Sequence, residues 1–273
     1  MKTQLYTITT LSNLHVGSGD INFDVIDNQV QRDAITNLPN INSSSLKGAF
    51  RENFEKDGSK ALVEYIFGPD NKSDSNHQTG AYRFFEAQLL TRPVRSNVKS
   101  YFNATSPAVI QNLLDTIENF SIEFDSELKS ELVKLSNLKP QKNKPFVFED
   151  IKNAILEDFE AKYENFDISK LQDFLGENLA LFDDGDFKEL DLPVLARNKI
   201  ATNEEQSDSN LWYEEVVPKQ SKFFFMIAKP TNISEADAKK IEGLNNRFDN
   251  ETQLVQFGAN KSIGYGFSKV QRV

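Results

Sequence analysis

A chain of 273 residues is long enough to bury a sizeable core, as one large domain or two small ones, and its 22 Phe supply much of the bulk. It has no Cys, which excludes disulfides and thiolate metal sites, and no apolar run long enough to span a bilayer. The net charge of −10, taken as a sum, argues against a nucleic-acid partner, because phosphate contacts need Lys and Arg.

In chain order, the opening residues Met1 to Leu5 lack the apolar core of a signal peptide, so a cytoplasmic protein is expected. Residues 4–11 alternate apolar and polar side chains and predict a first strand, which Gly17 and Gly19 end in a loop. Ser44 or Ser45 is placed to cap a helix running to about Lys56, with Leu46, Phe50 and Phe54 on one face. Residues 69–80 have loop composition and carry His77, read as solvent-exposed. A strand follows over 82–91. Helical spacing recurs over 106–120, 126–137, 147–163 and 168–181, which predicts a helical insertion over roughly 103–189. Strand signals return at Leu190 to Leu195 and at Lys222 to Ile227, and the polar stretch Asn203 to Asn210 suggests a projecting hairpin between them. Ser234 and Asp237 resemble a capping box for a helix ending near Gly243. Strands at Leu254 to Phe257 and Phe267 to Val270 bracket a last glycine loop.

The charge is uneven. Residues 111–190 hold 19 Asp or Glu against 9 Lys, the whole of the −10, while the remainder is balanced at 22 of each sign. Blocks of like charge usually face water, so the acidic middle reads as a solvated surface. The two ends of the chain are left to form a basic face with Arg32, Lys47, Arg51, Lys261 and Lys269. They also carry the glycine loops His15-Val16-Gly17-Ser18-Gly19 and Gly258-Ala259-Asn260-Lys261-Ser262-Ile263-Gly264-Tyr265-Gly266. Exposed backbone N–H groups in such loops, beside a helix N-terminus, suit phosphate oxygens. The elements fit an α+β, ferredoxin-like core with insertions.

Six blocks in order carry a resemblance. Leu14 to Gly19, Ile26 to Asp33 and Ser44-Ser45-Leu46-Lys47-Gly48 resemble the RAMP superfamily of CRISPR proteins. Pro93-Val94-Arg95-Ser96, Leu192 to Asn198 and Leu211-Trp212-Tyr213-Glu214-Glu215-Val216-Val217-Pro218 are similar to the repeated backbone subunit of type III-B effector complexes. Two departures stand out: Ser43 stands where the family commonly has Gly, and Gly258-Ala259 replaces a Gly pair. The resemblance spans nearly the whole chain and implies a single RAMP domain over 1–273. It implies a ferredoxin-like (RRM-like) palm, a helical insertion over 103–189 and a β-hairpin thumb over 190–213. It further implies copies stacked along a guide RNA, a complementary target RNA cut at regular intervals beside each thumb, and a divalent metal, Mg²⁺ being expected. Other expected partners are the large polymerase-like subunit, the small helical subunit and capping RAMP subunits.

Asp27 matches the family's cleavage aspartate. RNA cleaves itself when a 2′-OH attacks the adjacent phosphate in line, so an enzyme gains by fixing that geometry and neutralising charge. A carboxylate with an ordinary pKa near ~4 is a poor base at neutral pH, which favours metal-holding or orienting work for Asp27. An Asp that merely caps a turn before Asn28 is the other reading. His15 is a candidate for phosphate binding or proton transfer, or for shaping its own loop. Gly17, Ser18, Gly19, Arg32, Ser44, Ser45, Lys47 and Arg51 are candidate RNA contacts, with Arg95, Gly258, Lys261, Gly264 and Gly266 behind them. Glu214 and Glu215 are candidates for catalytic support or for a contact between subunits. Three functions therefore stay open besides the leading one: a non-catalytic RNA-gripping filament subunit, a guide-processing endonuclease, and the type III-A counterpart.

Overall fold

The computed structural model describes residues 1–19, 25–56, 60–69, 79–199, 210–235, 237, 248 and 252–273. His77 and most of the 69–80 stretch lie outside the described residues. Strand β1 (Lys2–Thr10) buries Leu5, Tyr6 and Ile8 in the middle of an 11-stranded sheet. It pairs antiparallel with β13 (Lys222–Lys229) on one side and with β15 (Phe267–Arg272) on the other. β14 (Gln253–Gln256) closes the edge beside β15, and β4 (Ala87–Val94) flanks β13. The short strands β2 (Asn40–Ile41) and β3 (Arg83–Phe84) pair with β4 and β13. The central order β15-β1-β13-β4, antiparallel throughout, is that of a ferredoxin-like sheet, with β1 and β4 running the same way.

Helix α1 (Ser43–Glu55) makes the crossover from β1 to β4, followed by α2 (Lys60–Phe67). Asn42, not Ser44 or Ser45, is the N-cap: its carbonyl accepts from the Leu46 N–H at 2.9 Å, so the helix starts earlier than expected. Ser43 is consequently a helical residue, and the turn before it needs no glycine. Leu46, Ala49, Phe50 and Phe54 recur on the buried face. Phe50 sits among Phe84, Phe225, Phe248 and Phe257, with ring centroids 5.6–5.9 Å away, so aromatic bulk replaces aliphatic packing at the centre. The Ser234 hydroxyl accepts from the Asp237 N–H at 3.1 Å, as a capping box requires; the body of that helix lies outside the described residues.

The insertion is only partly helical. After β5 (Phe102–Thr105) come α3 (Pro107–Asn119) and α4 (Ser126–Ser136), capped by Ser106 and Asp125. Residues 147–163 and 168–181 are not the helices expected. They form β6 (Phe146–Val147), β7 (Ile155–Leu156), β8 (Phe159–Glu160), β9 (Lys162–Tyr163), the single turn α5 (Gln172–Leu175) and β10 (Leu179–Leu181). β10, β6 and β9 continue the main sheet outward from β5. Short apolar runs do not distinguish buried strands from helix. Left-handed backbone at Asn143, Asn153, Glu157, Gly176 and Asn178 breaks every candidate helix there.

Helix α6 (Asp184–Glu189) leads into the hairpin of β11 (Val194–Lys199) and β12 (Asn210–Glu215). These two strands pair from Val194↔Glu215 to Lys199↔Asn210 and join no other strand among the described residues. The connecting residues 200–209, which include most of the turn-prone stretch, lie outside the described residues. No described helix is long and apolar enough to cross a membrane.

Candidate nucleic-acid interface

Four segments distant in sequence meet at the root of the hairpin. Leu14 bridges Val217, Gly17 bridges Val30, and Asn28 bridges Glu214. The Ser18 N–H donates to the Gln29 carbonyl at 3.2 Å and the Gln31 N–H to the Val16 carbonyl at 2.6 Å. From the other end of the chain, the Ala259 N–H donates to the His15 carbonyl at 2.8 Å and the Gly266 N–H to the Asn13 carbonyl at 2.8 Å. The glycine loops at the two ends therefore form one surface. Two glycines are sterically obligatory: Gly258 has φ +75° and a side chain there would meet the His15 carbonyl oxygen at 2.3 Å, while Gly266, at φ +77°, abuts the Phe257 carbonyl.

Asp27 is exposed. Its Oδ2 accepts from the Tyr213 backbone N–H at 2.7 Å, and the Asn28 N–H donates to the Tyr213 carbonyl at 3.1 Å. One carboxylate oxygen is thus tethered to β12 and the other has no bond among the described residues. His15 is buried, with Nδ1 2.7 Å from the Glu215 carbonyl. A carbonyl only accepts, so in the neutral ring Nδ1 carries the hydrogen and Nε2 keeps its lone pair. His15 lines an open cleft of about 470 Å³ with Asn28, Arg197, Asn198, Trp212, Glu214, Ala259, Asn260 and Ile263.

Glu214 and Glu215 are only 4% and 5% exposed, which removes them as free bases. Glu215 Oε1 is paired with Arg32 Nη2, and its Oε2 accepts from the Val30 N–H at 3.0 Å. Glu214 accepts from Arg197 Nε at 3.2 Å and from Asn260 Nδ2 at 2.5 Å. Both carboxylates hold the site together. Removing the arginine from either pair leaves a buried carboxylate short of a partner, which is destabilising.

The basic face is less bare than its sequence suggests. Arg32 is spent on Glu215, Arg51 on Glu55 and the Gly68 carbonyl, and Lys261 on Glu52 of α1. Exposed pairs such as Arg51–Glu55 are weak, so a phosphate competes for them at little cost. Lys47 has no hydrogen bond or ion pair among the described residues. Burial, the largest cause, and then the charges of Arg51 and Arg83 pull its pKa below the ordinary lysine value. Ser44 and Ser45 lie on the first turn of α1, exposed and half-buried. Arg95 stands apart, bound to Glu157 of the insertion at 2.6 and 2.8 Å, and does not join the hub. Gly19 and Gly264 are open turn positions with positive φ. Arg197, Asn260 and Tyr265 were quoted only within larger blocks; what sequence reasoning missed is that they converge on Glu214.

Comparison with known proteins shows the family and the fold. The RAMP superfamily model matches residues 7–269. The CRISPR system Cmr endoribonuclease Cmr4 of Pyrococcus furiosus is 27% identical over 285 residues, spanning 99% of this chain and 95% of its own. Among solved structures, a chain of the type III-B Cmr-beta complex bound to cognate target RNA superposes with a TM-score of 0.78 at 23% identity, covering 100% of this chain and 97% of that one. Oligomeric Cmr4 from Pyrococcus furiosus gives 0.73 at 23% identity, with 100% and 98% covered. The glycine loops, the tethered hairpin and a family match over almost the entire length lead to one conclusion: the chain belongs to the RAMP superfamily.

Proposed function

We propose that this chain is the repeated backbone subunit of a cytoplasmic type III-B CRISPR effector complex, which stacks along guide RNA and cleaves complementary target RNA beside each hairpin. The observation that carries the reading is the exposed Asp27 carboxylate, fixed on one side by the Tyr213 N–H and set among paired glycine loops from both ends of the chain. The Cmr4 relative is named an endoribonuclease, and a Cmr-beta complex of the same fold carries cognate target RNA. The large polymerase-like, small helical and capping RAMP subunits complete the proposed assembly.

In this scheme the hairpin splays the target strand so that a 2′-OH lines up with its neighbouring phosphate, and Asp27 orients that hydroxyl. Among the described residues, no group of three or more His, Asp or Glu side chains is placed to hold a metal ion. Asp27 has one oxygen to offer, which fits Mg²⁺ bound by a single carboxylate and completed by RNA phosphates and water. Such an ion would neutralise charge developing on the phosphate. The cation would then arrive with the RNA rather than reside in the free protein.

The test is Asp27→Asn in the assembled, guide-loaded complex. Asparagine keeps an acceptor for the Tyr213 N–H, so assembly and target binding should persist while cleavage falls by about 10²–10⁴. Undiminished cutting by that variant removes Asp27 from the chemistry and favours a subunit that only grips RNA.

A further inference from the structure

Among the described residues the hairpin pairs with no strand of the main sheet, so its angle to the palm rests on the backbone bridges at its root and on the side chains packed beside them. Residues directly opposite in an antiparallel pair point the same way, which places Leu195, Arg197, Trp212 and Glu214 on one face. That face meets the C-terminal glycine loop. Arg197 donates through Nε to Glu214 at 3.2 Å and through Nη2 to the Tyr265 hydroxyl, and its guanidinium carbon lies 4.9 Å from the centre of the Tyr265 ring. Asn260, held at φ +59°, donates to the second oxygen of the same Glu214. Both oxygens of Glu214 are engaged, as a nearly fully buried carboxylate demands.

The same strand holds Asp27, which lies in a separate segment, by a backbone bond. Glu214 bridges the Asn28 backbone, and the neighbouring Tyr213 N–H grips the Asp27 carboxylate. Any rocking of β12 against the C-terminal loop is therefore transmitted to Asp27 through bonds already named. We infer that Arg197 and Tyr265, meeting on Glu214 and Asn260, form a latch that sets the angle of the hairpin and with it the aim of Asp27. They are positioning residues that act through β12. The inference rests on the proposed cleavage role of Asp27 for its consequence, but not for its geometry.

The experiment uses two variants, Arg197→Ala and Tyr265→Phe, the second keeping the ring and losing only the hydroxyl. In the guide-loaded complex, target affinity should stay within about twofold while single-turnover cleavage falls about tenfold for Arg197→Ala, since small misplacements of reacting groups are costly. Cuts should also spread onto phosphates adjacent to the normal ones. Arg197→Lys, which keeps the charge but not the planar fork, should fall between. The double variant should be little worse than Arg197→Ala alone, as expected of two groups in one contact. Hydrogen exchange on the free full-length chain supplies the independent arm: the peptide containing Tyr213 should exchange faster in both variants while β1 and β13 stay protected. Unchanged cut positions and rates, or an unchanged Tyr213 peptide, overturn the latch. If the wild-type complex cuts nothing, the cleavage reading fails, and the exchange arm still decides the latch. If Arg197→Ala loses protection throughout the sheet, Tyr265→Phe decides it.

Discussion

Replacing Gly258 with alanine tests the meeting of the two ends directly. Alanine at φ +75° carries the left-handed penalty of about 1–2 kcal/mol. Its Cβ would also fall 2.3 Å from the His15 carbonyl oxygen, a backbone atom that cannot rotate away. Relief requires the loops to part, and parting breaks the Ala259 N–H to His15 bond at 2.8 Å, worth about 1 kcal/mol. The expected loss is about 2–3 kcal/mol in chemical denaturation. Gly264→Ala is the control: φ is +85° there, but nothing lies within 4 Å of the added methyl, so only the backbone penalty of about 1–2 kcal/mol remains. Guide-RNA affinity should fall for Gly258→Ala and stay close to wild type for Gly264→Ala. Equal losses of stability in the two variants would refute the close approach of residues 15 and 258.

Two further outcomes are expected. Lys47→Ala, which removes a cation with no partner among the described residues, should weaken RNA binding and flatten the log K against log salt slope by about 0.7. A slope that does not move takes Lys47 off the RNA. At Asp33, burial acts to raise the carboxyl pKa but is outweighed by hydrogen bonds from Thr36 and Ile35, so the folded value lies below the ordinary one. A depressed folded pKa gives stability that is present above the unfolded value near ~3.9 and lost as pH falls through the folded value. The 33–38 turn should hence loosen only in strong acid, read as faster exchange of the Thr36 amide below about pH 4. Loosening between pH 5 and 7 would contradict it.

The palm was legible because its signals are periodic and strong. β1 and β13 alternate or run continuously apolar, and Leu46, Phe50 and Phe54 repeat at helical spacing. The outer insertion was not legible, since Phe146 to Phe148 and Leu179 to Leu181 are too short for period alone to separate strand from helix. For the site, glycine spacing placed the loops, and the Arg51–Glu55 pair is local at i,i+4, but nothing in the sequence showed that Arg32 and Lys261 would each be matched with a Glu. Those pairings depend on segments up to 209 residues apart, which local pattern does not see. Arg95 was drawn into the site by its block and is anchored instead by Glu157.

The outward continuation of the sheet through β5 and β10 bears on how a polyanion tolerates a chain this acidic. Four strand spacings separate β1 from β10, about 20 Å at 4.8 Å each. At physiological ionic strength the screening length is about 8 Å, so charge carried beyond β10 is largely screened before it reaches the loops beside β1. A rigid sheet holds that distance where a tethered appendage would let the negative arm swing inward. Net charge is thereby a poor guide to what this molecule attracts, and the distance of its carboxylates from the loops is the better one.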